Sequence, residues 1–194
     1  MRIEETNITL WLIGICVIVY LLQQIFPTVT NIFSFTTMYA LSQPWTFVTA
    51  IFLHGSATHI LFNMIALFFF GTFLERRISK RSYILIFFLS GIIGNLGFML
   101  TMPPDASGLG ASGAIYGIMG VLTVLTPTTI VYVSGIPMPM FVAAIFWFIL
   151  NFFGLLGPGI GYSAHLGGLF FGIFAGFYFR YRTKRNVFIF GKTY

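Results

Sequence analysis

The chain has 194 residues, a formal net charge of +6, 58% hydrophobic residues and only 7% charged residues. Since ordinary globular proteins contain about 25% charged residues, this composition excludes a soluble enzyme, a nucleic-acid-binding protein, a disordered linker and a disulfide-stapled secreted module. No Asp, Glu, Lys or Arg occurs between residues 6 and 74, and Asp105 is the only one between residues 82 and 179. These observations indicate one polytopic membrane domain over residues 1–194.

The first predicted transmembrane span covers residues 7–26 and is closed by Pro27. A helix needs about 20 mostly apolar residues to cross a bilayer. The stretch is too long for the apolar region of a signal peptide, and no small-residue cleavage site follows it. Residues 27–57 combine prolines, Thr, Ser and Trp45, which favours a long loop at the membrane interface. The second span is predicted over residues 58–74.

The rest of the chain alternates apolar segments with turn-forming segments. Pro, Asp, Ser and Gly between residues 101 and 110 predict an irregular loop, prolines between residues 127 and 139 break the chain, and residues 154–161 form a glycine-rich loop. The remaining spans are predicted at residues 83–100, 112–125, 140–153 and 163–181. The predicted fold class is therefore all-α, a bundle of six transmembrane helices.

The ten basic residues are concentrated at the N-terminus, after the second span and from the end of the sixth span onward: Arg2, Arg76, Arg77, Lys80, Arg81, Arg180, Arg182, Lys184, Arg185 and Lys192. Loops rich in Lys and Arg stay in the cytoplasm. The charges therefore predict cytoplasmic termini and indicate membrane topology rather than a nucleic-acid partner. The single cysteine, Cys16, lies in an apolar run, so no disulfide pair is available.

A few polar residues lie in or beside the predicted spans, where they mark function or a structural hydrogen bond. His59 and Asn63 are four residues apart and share a helical face, with His54 shortly before them. Ser112, between Gly110 and Gly113, begins the fourth span, and His165 lies near the start of the sixth.

Ser112 and His165 are a candidate nucleophile and base. Serine is a poor nucleophile until a base takes its proton, and histidine is the usual base. The resulting oxyanion needs hydrogen-bond donors, which the backbone N–H at the start of the fourth helix, His59 and Asn63 could supply.

Other interpretations of these residues stay open. A serine in a helix often bonds a backbone carbonyl, and a buried histidine can simply link two helices. Three histidines could also bind zinc, although no His-Glu-x-x-His motif is present. Because the predicted spans contain no carboxylate and no lysine, a hydrolase of this sequence must use a Ser–His dyad.

Glycines recur at a spacing of four in two spans: Gly113 and Gly117 in the fourth, and Gly168, Gly172 and Gly176 in the sixth. Such stripes let helix backbones approach closely in lipid. Close packing of these spans would bring Ser112 within reach of His165. Tyr116, one turn after Ser112, is either a core aromatic residue or a ring stacked on the histidine.

These motifs together resemble the rhomboid family of intramembrane serine proteases. The set is His54, His59-x-x-x-Asn63, Gly110-x-Ser112-Gly113 and Ala164-His165-x-x-Gly168, in this order and across six spans. The resemblance implies that Ser112 is the nucleophile and His165 the general base. It also implies an oxyanion hole made of His59, Asn63 and the backbone N–H of Ser112, with support from His54, Tyr116, Gly110, Gly113, Gly168 and Gly172, and with no metal or cofactor.

The family's fold implies a six-helix bundle whose water-accessible cavity opens to the extracytoplasmic side of the cell membrane. It further implies a mobile fifth span and adjoining loop that act as a gate, and a first loop partly embedded in the membrane. The implied activity is hydrolysis, through an acyl-enzyme, of peptide bonds in or near the transmembrane segments of single-span proteins.

One departure from the family pattern is visible. Many members carry Trp-Arg in the first loop, where this chain has Trp45-Thr46, so the hydrogen bonds of that arginine are not expected here. The six predicted spans without a further domain resemble the minimal prokaryotic type. The alternative function is a catalytically silent rhomboid-like protein that binds membrane clients. An ion or proton transporter is disfavoured because no carboxylate or basic residue lies in the interior of the spans.

Overall fold

The structure is a computed structural model of the chain that describes residues 7–133, 135–155 and 161–190, the last eight by backbone alone. Most of these residues are helical. The helices are α1 Ile8–Ile25, α2 Thr28–Phe33, α3 Thr46–Thr49, α4 Ala57–Ala66, α5 Thr72–Glu75, α6 Lys80–Thr101, α7 Ser112–Leu125, α8 Met140–Phe152 and α9 Tyr162–Phe190. A π-helical segment, Leu67–Gly71, joins α4 to α5. The prediction of a mostly helical chain is confirmed.

Three helical segments within the described residues are long and apolar enough to cross a membrane, namely Ile8–Ile25, Ala57–Glu75 and Lys80–Thr101. Helices α7 and α8 are apolar but shorter. Large apolar side chains lie on the outer surface, among them Phe69 at 64%, Leu100 at 73% and Phe174 at 75% exposure. Exposure of such a large apolar surface to water is energetically unfavourable, whereas contact with lipid hydrocarbon is not. The protein is membrane-embedded, and the number of six spans stays a prediction.

The bundle is built around α7, which is buried along most of its length between α6 and α9. Small residues make this packing possible. A Cβ atom added at Gly172 of α9 would lie 2.0 Å from the carbonyl oxygen of Gly117 on α7, and one added at Gly94 of α6 would lie 2.7 Å from the carbonyl oxygen of Ala164. The backbones of these three helices are therefore in direct contact, as small residues allow in lipid.

The start of α1 is held against the end of α5 by Glu75. Its carboxylate accepts hydrogen bonds from the backbone N–H groups of Ile8 at 2.6 Å and Thr9 at 3.0 Å, and from the Thr9 hydroxyl at 2.7 Å. A carboxylate suits the N-terminus of a helix, where backbone N–H groups lack intrahelical acceptors. These bonds place the start of α1 at the same end of the bundle as the basic residues that follow α5.

Two small antiparallel sheets, which the sequence did not predict, accompany the helices. Strands β1 Phe35–Thr36 and β2 Ser107–Gly108 pair the first loop with the loop after α6, and β3 Ile130–Val133 pairs with β4 Ile136–Pro139. The second pair occupies the linker that the prolines were expected to break. Proline is tolerated there because each strand of a two-stranded sheet has an unpaired edge, and Gly135 supplies the turn with a φ of 83°.

The first loop folds into short helices rather than an irregular segment. Thr46, at the position of the family's arginine, is buried, and its hydroxyl donates to the Gln43 carbonyl at 2.7 Å. The Trp45 indole donates to the Ile32 carbonyl at 3.2 Å. Local bonds to backbone carbonyls therefore hold this loop without the arginine.

Several predicted features fall partly outside the described residues. Arg2 and Lys192 lie there, as do residues 156–160 of the predicted glycine-rich loop. Helix α9 continues beyond residue 181, where the sixth span was predicted to end.

Candidate active site

Ser112 and His165 face each other at one end of the bundle. Ser112 is the first residue of α7, and His165 lies in the first turn of α9. The Nε2 atom of His165 is 2.7 Å from the Oγ atom of Ser112, and the imidazole is only 9% exposed. At this distance the imidazole can take the hydroxyl proton directly.

The glycines flanking these two residues allow the approach. A Cβ atom added at Gly168 would lie 2.0 Å from the carbonyl oxygen of Gly113, the residue after Ser112. Gly168 lies three positions after His165 in the chain, so the contact lies one helical turn from the histidine. Any larger side chain at Gly168 would push α9 away from α7 and separate the nucleophile from the base.

Tyr116 stacks on His165 from the next turn of α7. The two ring centroids are 4.5 Å apart, and the ring planes differ by 9°. This contact limits tilting of the imidazole out of its plane. Of the two interpretations of Tyr116 that the sequence left open, the geometry favours the stacked ring.

Asn151, near the end of α8, is a site residue that the sequence analysis missed. Its side chain is 1% exposed, and its Oδ1 atom lies 2.7 Å from Nδ1 of His165. Its Nδ2 atom donates to the Tyr116 hydroxyl at 2.9 Å. The sequence marks Asn151 only as a polar residue within an apolar span, with no motif around it.

A cavity of about 670 Å³ joins Ser112 and His165 to the predicted oxyanion donors His59 and Asn63. Gly110 forms part of its wall with a φ of 128°, and a Cβ atom there would lie 2.8 Å from Nε2 of His59. Glycine is therefore required at this position for both its backbone conformation and its size. The Asn63 amide donates one hydrogen bond to the His59 carbonyl at 3.0 Å, which leaves its second N–H for another acceptor.

His54 is buried and packs against His59. It is 1% exposed, its ring centroid lies 5.1 Å from that of His59, and its backbone N–H donates to the Gln23 side chain at 3.0 Å. Burial, together with the neighbouring His59, lowers the pKa of His54 to about 4. Its imidazole is therefore neutral at pH 7 and adds no positive charge next to His59.

The three histidines do not converge. Across the described parts of the chain, no three His, Cys, Asp or Glu side chains are close enough to share a metal ion. His165 is instead bonded on both ring nitrogens, to Ser112 and to Asn151.

Residues 41–182 match the family model of the Rhomboid domain, which is most of the chain. The chain belongs to the rhomboid family. Over 190 residues it is 26% identical to the rhomboid protease GlpG of Yersinia pseudotuberculosis, which covers 96% of the chain and 68% of that protein. GlpG of Yersinia pestis matches with the same identity and coverage.

A second kind of rhomboid relative matches more strongly over a shorter stretch. The rhomboid protease candidate YdcA of Bacillus subtilis is 47% identical over 77 residues, which are 40% of the chain and 39% of YdcA. The family resemblance predicted from the motifs is confirmed. Seven of the ten predicted site residues line this cavity, namely His59, Asn63, Gly110, Ser112, Gly113, Tyr116 and His165, whereas His54, Gly168 and Gly172 are not among its lining residues.

Proposed function

We propose that this rhomboid protein is a serine protease that hydrolyses peptide bonds in or beside the transmembrane segments of single-span membrane proteins. The observation that carries the proposal is the 2.7 Å distance between the Ser112 hydroxyl and His165 inside the cavity. The names of its relatives in Yersinia and Bacillus support it.

In the proposed reaction, Oγ of Ser112 attacks the scissile carbonyl carbon while Nε2 of His165 takes the hydroxyl proton. The tetrahedral intermediate collapses, the C–N bond breaks, and His165 gives the proton to the leaving amine. Water then attacks the acyl-enzyme with His165 as base, which releases the acid and restores Ser112.

The oxyanion of the intermediate would be stabilised by His59, Asn63 and the backbone N–H of Ser112. Ser112 is the first residue of α7, and the first N–H groups of a helix have no intrahelical acceptor. The partial positive charge at a helix start adds to this stabilisation. The cavity would open to the extracytoplasmic side, opposite the end that carries Glu75 and the basic cluster.

The alternative, a catalytically silent client-binding member, is disfavoured because both Ser112 and His165 are present and in contact. In a silent member, loss of either group would leave a serine without a base or a base without a nucleophile.

The decisive experiment incubates purified protein in liposomes with a model single-span substrate and compares the wild type with Ser112→Ala. We expect cleavage by the wild type and none above background by Ser112→Ala. Ser42→Ala is a matched control, because Ser42 lies in the exposed first loop and bonds only locally to the Tyr39 carbonyl. Equal cleavage by the wild type and Ser112→Ala would refute the proposal.

Asn63→Ala tests the oxyanion role. Removing one preorganised donor costs about 10²- to 10³-fold in kcat, so we expect a loss of that size with little change in KM. Asn7→Ala serves as control, since Asn7 caps α1 at the opposite end of the bundle. A change confined to KM would contradict the assignment.

A further inference from the structure

We infer that Asn151 is a positioning residue that holds His165 in the tautomer and orientation needed to accept the Ser112 proton. The inference rests on the proposed function. It extends the Ser–His pair to a third polar residue, supplied by a helix that carries neither of the other two.

The orientation of the Asn151 amide is fixed by a backbone carbonyl of its own helix. One end of the amide lies 2.8 Å from the carbonyl oxygen of Trp147. That oxygen can only accept, so the group facing it must be the NH₂ group. The amide oxygen therefore points away from it, toward His165.

This orientation determines the histidine tautomer. The amide oxygen of Asn151, 2.7 Å from Nδ1 of His165, can only accept, so Nδ1 must carry the proton. In a neutral imidazole the other nitrogen, Nε2, is then free of a proton. It faces the Ser112 hydroxyl at 2.7 Å and accepts from it. The result is the tautomer that a general base requires.

The imidazole is held in two independent directions. Tyr116 stacks against its face, while Asn151 fixes its rotation through Nδ1. The second N–H of the Asn151 amide donates to the Tyr116 hydroxyl at 2.9 Å, so the two supports are bonded to each other. A ring left free to rotate would present Nε2 to Ser112 for only part of the time.

An amide suits this place better than a carboxylate. Asn151 is buried in a membrane protein, where an ionised side chain is expensive. The titratable groups that line the cavity with His165 are Tyr116 of α7 and His59 of α4, and neither carries a negative charge near pH 7. The amide supplies the same acceptor geometry as the aspartate of a catalytic triad without burying a charge.

The test compares two substitutions at Asn151 with a neighbouring control. Asn151→Leu keeps the branching of the side chain, although leucine is larger, and removes the acceptor. Asn151→Asp in its neutral form can donate to the Trp147 carbonyl and accept from Nδ1, as the amide does. Phe152→Leu changes the adjacent residue of α8, which is 62% exposed on the outer surface. Because a misplaced catalytic group costs about 10²-fold, we expect Asn151→Leu to lose about 10²-fold in kcat with KM nearly unchanged.

We expect Asn151→Asp to recover at least tenfold of that loss, and Phe152→Leu to match the wild type. A wild-type kcat in Asn151→Leu would overturn the inference, as would an Asp variant no better than the Leu variant. If the proposed protease activity itself fails, Ser112→Ala will behave as the wild type in the liposome assay, which separates that failure from this one.

A spectroscopic measurement tests the tautomer without relying on activity. The chain has three histidines, so ¹⁵N-histidine spectra of the detergent-solubilised protein are simple, and the signals of His165 are those lost in His165→Gln. We expect the wild type to show a protonated Nδ1 and an unprotonated Nε2. A proton on Nε2 in the wild type would overturn the inference even if Asn151→Leu cannot be purified in folded form.

Discussion

Replacing His165 with glutamine is expected to slow peptide-bond cleavage by about 10⁴- to 10⁶-fold, the loss typical when the base of a serine protease is removed. The physical reason is the 2.7 Å contact between its Nε2 atom and the Ser112 hydroxyl. Glutamine keeps the polarity of the position but cannot accept and return a proton. Single-turnover cleavage in liposomes measures the loss, and labelling of Ser112 by a fluorophosphonate probe reports the nucleophile separately.

The two readouts should fall together in His165→Gln, because both need an activated Ser112. His54→Gln is the matched histidine control. The His54 ring packs on His59 rather than on Ser112, so its substitution should slow labelling far less. Labelling of His165→Gln at the wild-type rate would show that His165 is not the base.

Replacing Gly172 with alanine is expected to destabilise the bundle by about 3 kcal/mol, the upper range for overpacking a tight interior. The added Cβ atom would lie 2.0 Å from the carbonyl oxygen of Gly117 and 2.7 Å from its carbonyl carbon. Both atoms belong to the backbone of α7, which cannot move aside as a flexible side chain would. Helices α7 and α9 must separate, and His165 must then move away from Ser112.

Thermal unfolding in detergent measures the effect, with residual cleavage as a second readout. Gly14→Ala in α1 is the matched control, since a Cβ atom there meets nothing within 4 Å. Because alanine favours a helix more than glycine does, Gly14→Ala should be as stable as the wild type or slightly more stable. If Gly172→Ala unfolds at the same temperature as Gly14→Ala, the two backbones are not in the contact described above.

The sequence predicted the helical fold and the residues around the cavity for reasons that can be named. Apolar runs must form helices in lipid, because backbone groups find no other partners there. This rule places α1, α6 and α7 close to the predicted spans. The polar residues His59, Asn63, Ser112 and His165 could be recognised because they fall into short motifs, whereas other polar residues of the predicted spans, such as Asn151, do not.

The β3–β4 hairpin could not be predicted in the same way. In the sequence, its prolines indicate an interruption of regular structure. Only the pairing of β3 with β4 across the turn at Gly135 shows that the prolines, which lack an N–H group, can be accommodated at the unpaired edge of a strand. The structural role of Glu75 could not be predicted from the sequence either. This residue is one residue past a predicted span, and its role as a cap of α1 depends on a contact with residues 8 and 9, far away in the chain.

The sequence by itself determined that this protein is embedded in a membrane, that it resembles the rhomboid family, and that Ser112 and His165 are its candidate nucleophile and base. Composition, hydropathy and motif spacing are local or additive properties of the chain, so the sequence alone is enough to evaluate them. Only the tertiary structure decided that Asn151 is bonded to His165. That contact joins α8 to α9, and its two residues are fourteen positions apart in the chain. The role of Asn151 depends on which end of its amide faces a backbone carbonyl, and the spacing of residues in a sequence does not specify that orientation.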